Sequence, residues 1–308
     1  DAVFVRTVSE IHRLAVLAGQ TKEAIAVDTR RLDRADNEFR RQQVACEMAA
    51  WLDDYGGDPQ RALKYCIKAL GLCTEGSDAL AEIRGRLYRL GQRLGLLGWD
   101  EIARAERSLV QQSPQKLQKR LMYLASLWQY GAADFVRAID AAGQAYRLTY
   151  FPGGLPSTST AKSGPPLSEL VAHHPSEELL AARQAARAVL DRIALAAPTD
   201  SEGAGKLVAL LDNLAGQLNE AGVPSQAAQV LLDVGQVDER RGRLSQAERR
   251  YQEVLKQQVL VEQAMAALER VYRQQRRLAD LAALLEKRRP LMPESAQRQM
   301  LLDLAEVY

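Results

Sequence analysis

This chain of 308 residues is poor in the residues that most catalytic and metal chemistry requires. It has three histidines, three cysteines and an aromatic content of 6%. Cys46, Cys66 and Cys73 form no C-x2-C pair, and Cys66 and Cys73 stand seven apart on one helix face, too far for metal-pair spacing. An odd count among apolar neighbours reads as reduced, buried thiols. His173 and His174 are adjacent, so on an extended chain they point to opposite sides, and no further ligand stands near them. With His12 as the only other histidine, a Ser-His-Asp or Cys-His nucleophile system lacks parts. The run GGLPSTSTAKSG over 153–164 has Gly, Lys and Ser, but not in P-loop order. No catalytic residue, metal or cofactor is expected, and the chain does not read as an enzyme. No stretch approaches eighteen uncharged apolar residues, so no membrane span is expected. With 41 basic against 39 acidic residues the net charge is +2, which demands neither nucleic acid nor an anionic membrane. Val-Ile-Thr alternation is almost absent, which excludes a strand-rich fold.

Ala, Leu, Arg, Gln and Glu dominate instead, all good helix formers. Leu87, Leu90, Leu94 and Leu97 form one apolar stripe at helical spacing, and Leu117, Leu121, Leu124 and Leu127 form another. Breaks fall at Gly56-Gly57-Asp58-Pro59, at Gly222-Val223-Pro224-Ser225, at Gly242 and from Pro290 to Pro293. Asp58-Pro59 reads as an N-cap followed by proline at the first helical position, where its missing N–H costs nothing. The pattern predicts about fifteen helices joined by short turns, an all-α chain. A small-residue signature recurs along it. Gly235, Ala247 and Tyr251 stand twelve and then four residues apart; Ala50, Ala62 and Cys66 repeat both steps, and Gly91 and Ala103 repeat the first. Small residues at such points let two antiparallel helices approach closely, and stacking such pairs builds an α-solenoid. Gly235 and Ala247 are expected to face each other within one pair.

This spacing resembles the tetratricopeptide repeat, a 34-residue helix pair with W-x2-L-G-x2-Y on its first helix and A-x3-F on its second. Leu90-Gly91 precedes Leu94 in the Tyr place, Leu124-Ala125 precedes Trp128, and Leu304-Ala305 precedes Tyr308. Leu268 and Tyr272 match too, with Glu269 in the small slot, where the helix pair is expected to open slightly. Ala62, Ala103, Ala138 and Ala247 fill second-helix small positions, Ala138 one residue late. Gly91 to Ala125 is 34 residues, as is Ala247 to Leu281; other intervals depart from that period. The resemblance covers 38–148 and 224–308 well, 1–37 loosely and 149–223 poorly. It implies helix pairs stacked into a right-handed superhelix.

Residues 149–175 interrupt the pattern with five of the chain's eleven prolines. They divide it into an N-terminal block over 1–148 and a C-terminal block over 176–308. The insertion is expected to be mobile, and its replacement to lose few apolar contacts. Both ends of the chain read as cut, inside what is expected to be a longer protein. A cytoplasmic location is expected from the lack of any signal in these residues.

The resemblance also implies a groove lined by the first helix of each pair, at positions one, four and five residues after its small residue. Carried onto this chain, those are Trp51, Asp54 and Tyr55; Gln92, with Tyr88 one turn earlier; Ser126, Gln129 and Tyr130; Gln236, Glu239 and Arg240; and Arg270 and Arg273. Aromatic and arginine side chains facing a groove act as binding anchors. The Lys and Asn set of chaperone-binding relatives is missing from these positions. The arginine-rich run over 270–289 opens an RNA-binding reading, but Glu269, Asp280 and Glu286 interrupt its charge and nucleic acid is not the expected partner. Two function classes follow. One is a non-catalytic scaffold holding a peptide or helix in its groove; the other is the regulatory segment of a larger enzyme.

Overall fold

Capping residues fix where the helices begin. Asn37, Asp58, Ser77 and Ser176 each accept a hydrogen bond from the backbone N–H three residues on, satisfying one of the donors that a helix start leaves open. Pro59 follows Asp58 at the first position of its helix, as the sequence predicts. The computed structural model describes residues 2–73, 77–108, 114–152, 166–173, 175–198 and 202–289. Among them the regular elements are all helical: α1 (Ala2–Leu17), α2 (Thr21–Asp33), α3 (Glu38–Asp54), α4 (Pro59–Leu72), α5 (Asp78–Leu94), α6 (Leu96–Ser108), α7 (Pro114–Ser126), a π-helical turn (Leu127–Gly131), α8 (Phe135–Leu148), α9 (Leu167–Leu170), α10 (Glu177–Ala196), α11 (Glu202–Glu220), α12 (Pro224–Arg240), α13 (Leu244–Lys256), α14 (Val261–Gln275) and α15 (Leu278–Arg288).

The chain divides into two compact units, Asp1–Asp134 and Phe135–Tyr308. In the first, α1 to α7 pack mainly on their neighbours in the chain, the sequential stacking of a helical repeat. In the second, α8 packs against both α10 and α11, and α11 to α15 then continue pair by pair. The fold is therefore all-α, built from consecutive helix pairs. Because α8 is held by α10 and α11, the division falls ahead of the insertion, at residues 134 and 135.

Small residues set how closely these helices approach. A Cβ placed on Gly91 would lie 2.8 Å from the Trp99 ring, and one on Gly131 would lie 2.6 Å from it, so the indole sits between two bare backbones. A Cβ on Gly235 would lie 2.3 Å from the ring of Tyr251. The group that covers Gly235 is thus Tyr251, one turn beyond the Ala247 expected there. Ala247 is itself fully buried, and Gln246 beside it is exposed. In α3 the burial pattern corrects the expected register: Ala45, Met48, Ala49 and Leu52 are sealed, whereas Ala50 is partly open. Ala49 therefore occupies the small, close-packed position that the sequence assigned to Ala50.

The insertion is also revised at its ends. Thr149, Tyr150 and Phe151 are completely buried in the second unit, and so is most of Val171. The Ala172 N–H donates to the Tyr150 carbonyl at 2.8 Å, and Gln226 Nε2 donates to the Ala172 carbonyl at 2.9 Å. These flanks are core, so replacing everything from 149 to 175 would remove apolar contacts rather than spare them. Residues 153–165, with the Ser157–Thr160 cluster, and His174 lie outside the described residues, as do the break over 290–293 and the repeat helix expected at 304–308.

Two predictions follow from this packing. Phe151→Ala should destabilise the second unit by about 3–5 kcal/mol, read as a lower denaturant midpoint. Gly235→Ala and Ala247→Leu should each cost about 1–3 kcal/mol through overpacking. Their losses of hydrogen-exchange protection should centre on α12 to α14 and fade beyond the adjacent helices, whereas Gln246→Leu should leave protection unchanged.

Candidate functional site

In the first unit, side chains of α5 reach the end of α3 on one side and the π-helical turn on the other. Arg86 Nη1 lies 3.3 Å from Asp53 Oδ2 and 3.0 Å from Asp54 Oδ1, and Arg93 pairs with the other oxygen of Asp53. These arginines tie α5 to α3. On its other side α5 reaches the π turn, where Tyr88 Oη donates to the Tyr130 carbonyl at 3.2 Å and Gln92 Nε2 donates to the Gly131 carbonyl at 3.2 Å. Both acceptors lie where the helix ends, so α5 supplies partners to carbonyls that the turn leaves open. The Tyr88 ring meets the buried Trp99 edge-on, 5.4 Å between centroids. Tyr55, Tyr88 and Tyr130 are 47%, 36% and 57% exposed, large apolar rings left facing solvent.

Five of the residues expected to line a groove therefore come to this unit's surface: Asp54, Tyr55, Tyr88, Gln92 and Tyr130. Three do not. Trp51 is buried, its Nε1 donating to Asp28 Oδ2 at 3.1 Å and its ring stacked on His12 at 4.7 Å. The shift of the close-packed position to Ala49 turns Trp51 toward α2. Gln129 is buried as well, because the π turn departs from the α-helical phase that placed it outside. Ser126 is half-buried and donates back to the Met122 carbonyl at 3.1 Å, a bond within its own helix.

The positions expected in the second unit are mostly engaged with one another. Arg270 donates two hydrogen bonds, each of 3.2 Å, to Glu239, which also accepts from Tyr251 Oη at 2.9 Å. Arg240 lies 3.6 Å from Asp191, and Arg273 lies 2.8 Å from Glu269. Gln236 is half-buried. Glu269, in the slot usually held by a small residue, also pairs with Arg288 of α15 at 2.7 Å. Arg277 pairs with Glu248 at 2.6 Å and Asp280 at 2.7 Å. Four of the seven cations in the arginine-rich run, Arg270, Arg273, Arg277 and Arg288, are thus paired with carboxylates of this chain.

No family model matches the chain, and no curated protein matches it. Among solved structures it is similar to a circular tandem repeat protein with novel repeat topology and enhanced subunit contact surfaces. That likeness has 15% identity and a TM-score of 0.32, and it covers 98% of this chain and 81% of the other.

Two further clusters have no signature in the sequence. The first is buried in the first unit, where His12 Nε2 lies 2.6 Å from Asp28 Oδ2 and Arg31 Nη1 lies 2.6 Å from Asp28 Oδ1. Arg31 continues to Glu47 at 2.9 Å, so one network joins α1, α2 and α3. Burial works to raise the Asp28 carboxyl, but hydrogen bonds and charge from His12 and Arg31 outweigh it and hold the group below its ordinary range. The second is an open cleft of about 460 Å³ in the second unit, beside α8, α10 and α12. At its floor Tyr146 Oη donates to Asp233 Oδ2 at 2.9 Å, and Tyr150 Oη lies 2.9 Å from Tyr146 Oη. Arg187 Nη1 is 2.9 Å from Asp233 Oδ2, an ion pair by distance without hydrogen-bond alignment. Burial dominates at Asp233 and pushes its carboxyl upward, against the Arg187 charge and the bonds from Tyr146 and Gln229.

Elsewhere the chemistry is quiet. The three cysteines are free, and burial pushes the Cys46 and Cys66 thiols up to about 12, so both stay protonated. His173 Nε2 lies 2.7 Å from the Ser168 carbonyl. Among the described residues no group of His, Cys, Asp and Glu is arranged to hold a metal, and no helix is long and apolar enough to cross a membrane.

Asp28 gives a pH prediction with a definite sign. Its folded pKa is depressed, so its contribution is present above the ordinary carboxyl pKa and is lost as pH falls through the lower folded value. Asp28→Asn should destabilise the first unit by about 3 kcal/mol at pH 7, since it leaves Arg31 without its buried counter-charge on Asp28. Urea midpoints measured from pH 6 to pH 2 should then converge for the two proteins as pH falls.

Proposed function

We propose that this chain is a non-catalytic binding scaffold whose first unit holds a peptide or short helix against the face built by Tyr55, Tyr88 and Tyr130. The reading is carried by three exposed tyrosines, one at the end of α3, one on α5 and one in the π turn, with the supporting side chains already hydrogen-bonded. Tyrosine offers a large amphipathic contact area with only two torsions to fix, so little conformational entropy is lost when it is covered. Gln92 and Tyr88 hold the π turn, and Arg86 and Arg93 hold α3, so the face is arranged before any ligand arrives. The likeness to tetratricopeptide repeats belongs to the same proposal: Gly91 under Trp99 and Gly235 under Tyr251 are helix pairs closed over a small residue, the feature from which that likeness is drawn.

Peptides selected from a random twelve-residue display library on the intact chain provide the test. Their affinity should fall at least tenfold for Tyr88→Ala with Tyr130→Ala, about 1.4 kcal/mol or more, with helix content by circular dichroism unchanged. Recovery of no binder, or of binders indifferent to both tyrosines, would remove this reading.

A further inference from the structure

We propose that the cleft of the second unit is a separate site, which binds a peptide through an acidic side chain seated on Arg183. Two arginines reach this cleft, and their situations differ. Arg187 is neutralised, lying 2.9 Å from Asp233 and 3.0 Å from Asp191. Arg183 pairs with no carboxylate among the described residues. Its guanidinium stacks 3.8 Å over the Tyr150 ring, and Nη2 donates to the Thr149 carbonyl at 3.0 Å. Those contacts fix the orientation of the group and leave its charge uncompensated. A planar, preoriented guanidinium with charge to spare matches a carboxylate, which can take two parallel hydrogen bonds from it.

The size of the charge selects among anions. One uncompensated cation balances the single charge of a carboxylate, whereas a phosphate near −2 would leave excess negative charge beside the buried Asp233. The neighbouring chain cannot supply the anion either. Residues 153–165, which join Pro152 to Pro166, contain no Asp or Glu.

The cleft walls extend the argument from an anion to a peptide. Leu180, 41% exposed, stands on α10, and Leu260 stands in the turn before α14. Leu260 has φ 54° and Gln258 has φ 55°, left-handed backbone that non-glycine residues seldom adopt. Such strain is tolerated where surrounding structure enforces it, and it gathers at ligand clamps. Leu180 and Leu260 offer apolar contacts beside the fixed cation, and Gln184, Ser225, Gln226 and Gln229 offer polar ones for a peptide backbone, which suits an acidic residue flanked by apolar ones.

Fluorescence anisotropy distinguishes the outcomes. The probe is a labelled, C-terminally amidated peptide Ala-Leu-Glu-Leu-Ala, compared with twins carrying glutamine or phosphoserine in place of the glutamate. On the unaltered chain at low salt the glutamate peptide should bind about tenfold more tightly than the glutamine twin, the ratio that one charge-assisted contact gives. Arg183→Gln should abolish the difference and Arg183→Lys should keep part of it. Tyr88→Ala with Tyr130→Ala should leave it intact, which separates this cleft from the tyrosine face. The comparison of twins needs no variant, so it stands even if Arg183→Gln misfolds. Equal affinities, binding by neither peptide, or a preference that survives Arg183→Gln would overturn the proposal. Tighter binding of the phosphoserine twin would overturn it in favour of a phosphate site.

Discussion

The closeness with which a helix backbone can meet an aromatic ring governs both units of this protein. Trp99 lies between Gly91 and Gly131, and the slightest side chain at either glycine would collide with its indole. Tyr251 repeats the arrangement over Gly235. Protein interiors are packed at crystal-like density, so such a contact has no slack to absorb an extra methyl group. In a fold where each element touches mainly its neighbours, local spacing is passed along the stack. The tyrosine face inherits its geometry in this way, since Tyr88 leans on Trp99, and Trp99 is placed by the two glycines.

Charge does a different job. Glu106 is completely buried and meets Arg84 at 2.9 Å, and Arg84 in turn stacks 4.2 Å over the Tyr123 ring. Asp28 collects His12, Arg31 and Trp51 from three helices. Taking such groups out of water offsets much of their mutual attraction, so these networks contribute little net stability compared with a well-packed apolar core. Their directionality is what matters: a wrong helix register would leave a buried charge unmatched, which is far more costly than a lost apolar contact.

The sequence made the helices legible because leucine stripes and glycine breaks are local signals. Asp58-Pro59 and Gly242 mark their boundaries, and the spacing of Gly235 to Tyr251 identified a close helix pair. Phase was harder. Ala49 and Ala50 are both small, so nothing in the sequence says which one faces the neighbouring helix, and choosing Ala50 placed Trp51 outside when it lies inside. Gln129 was misplaced for another reason, since a π turn has no reliable sequence signature and shifts every residue after it. The cleft was illegible because its parts are distant along the chain: Tyr146 and Asp233 are 87 residues apart, and only the folded stack brings them together. Gln92 could be assigned to the surface because it directly follows Gly91, whose close approach to Trp99 the structure bears out.

The π turn at Leu127–Gly131 has an evolutionary consequence. Such turns are wide by one residue relative to an α-helix, which is how a single inserted codon is accommodated inside a helix without breaking it. Each residue advances a helix by about 100°, so one extra residue rotates all that follows by about that amount. Tyr130 and Gly131 are the last two residues of that turn. The aromatic on the surface and the glycine under Trp99 are therefore set by the same local widening, and a lineage that lost one codon here would lose both positions together.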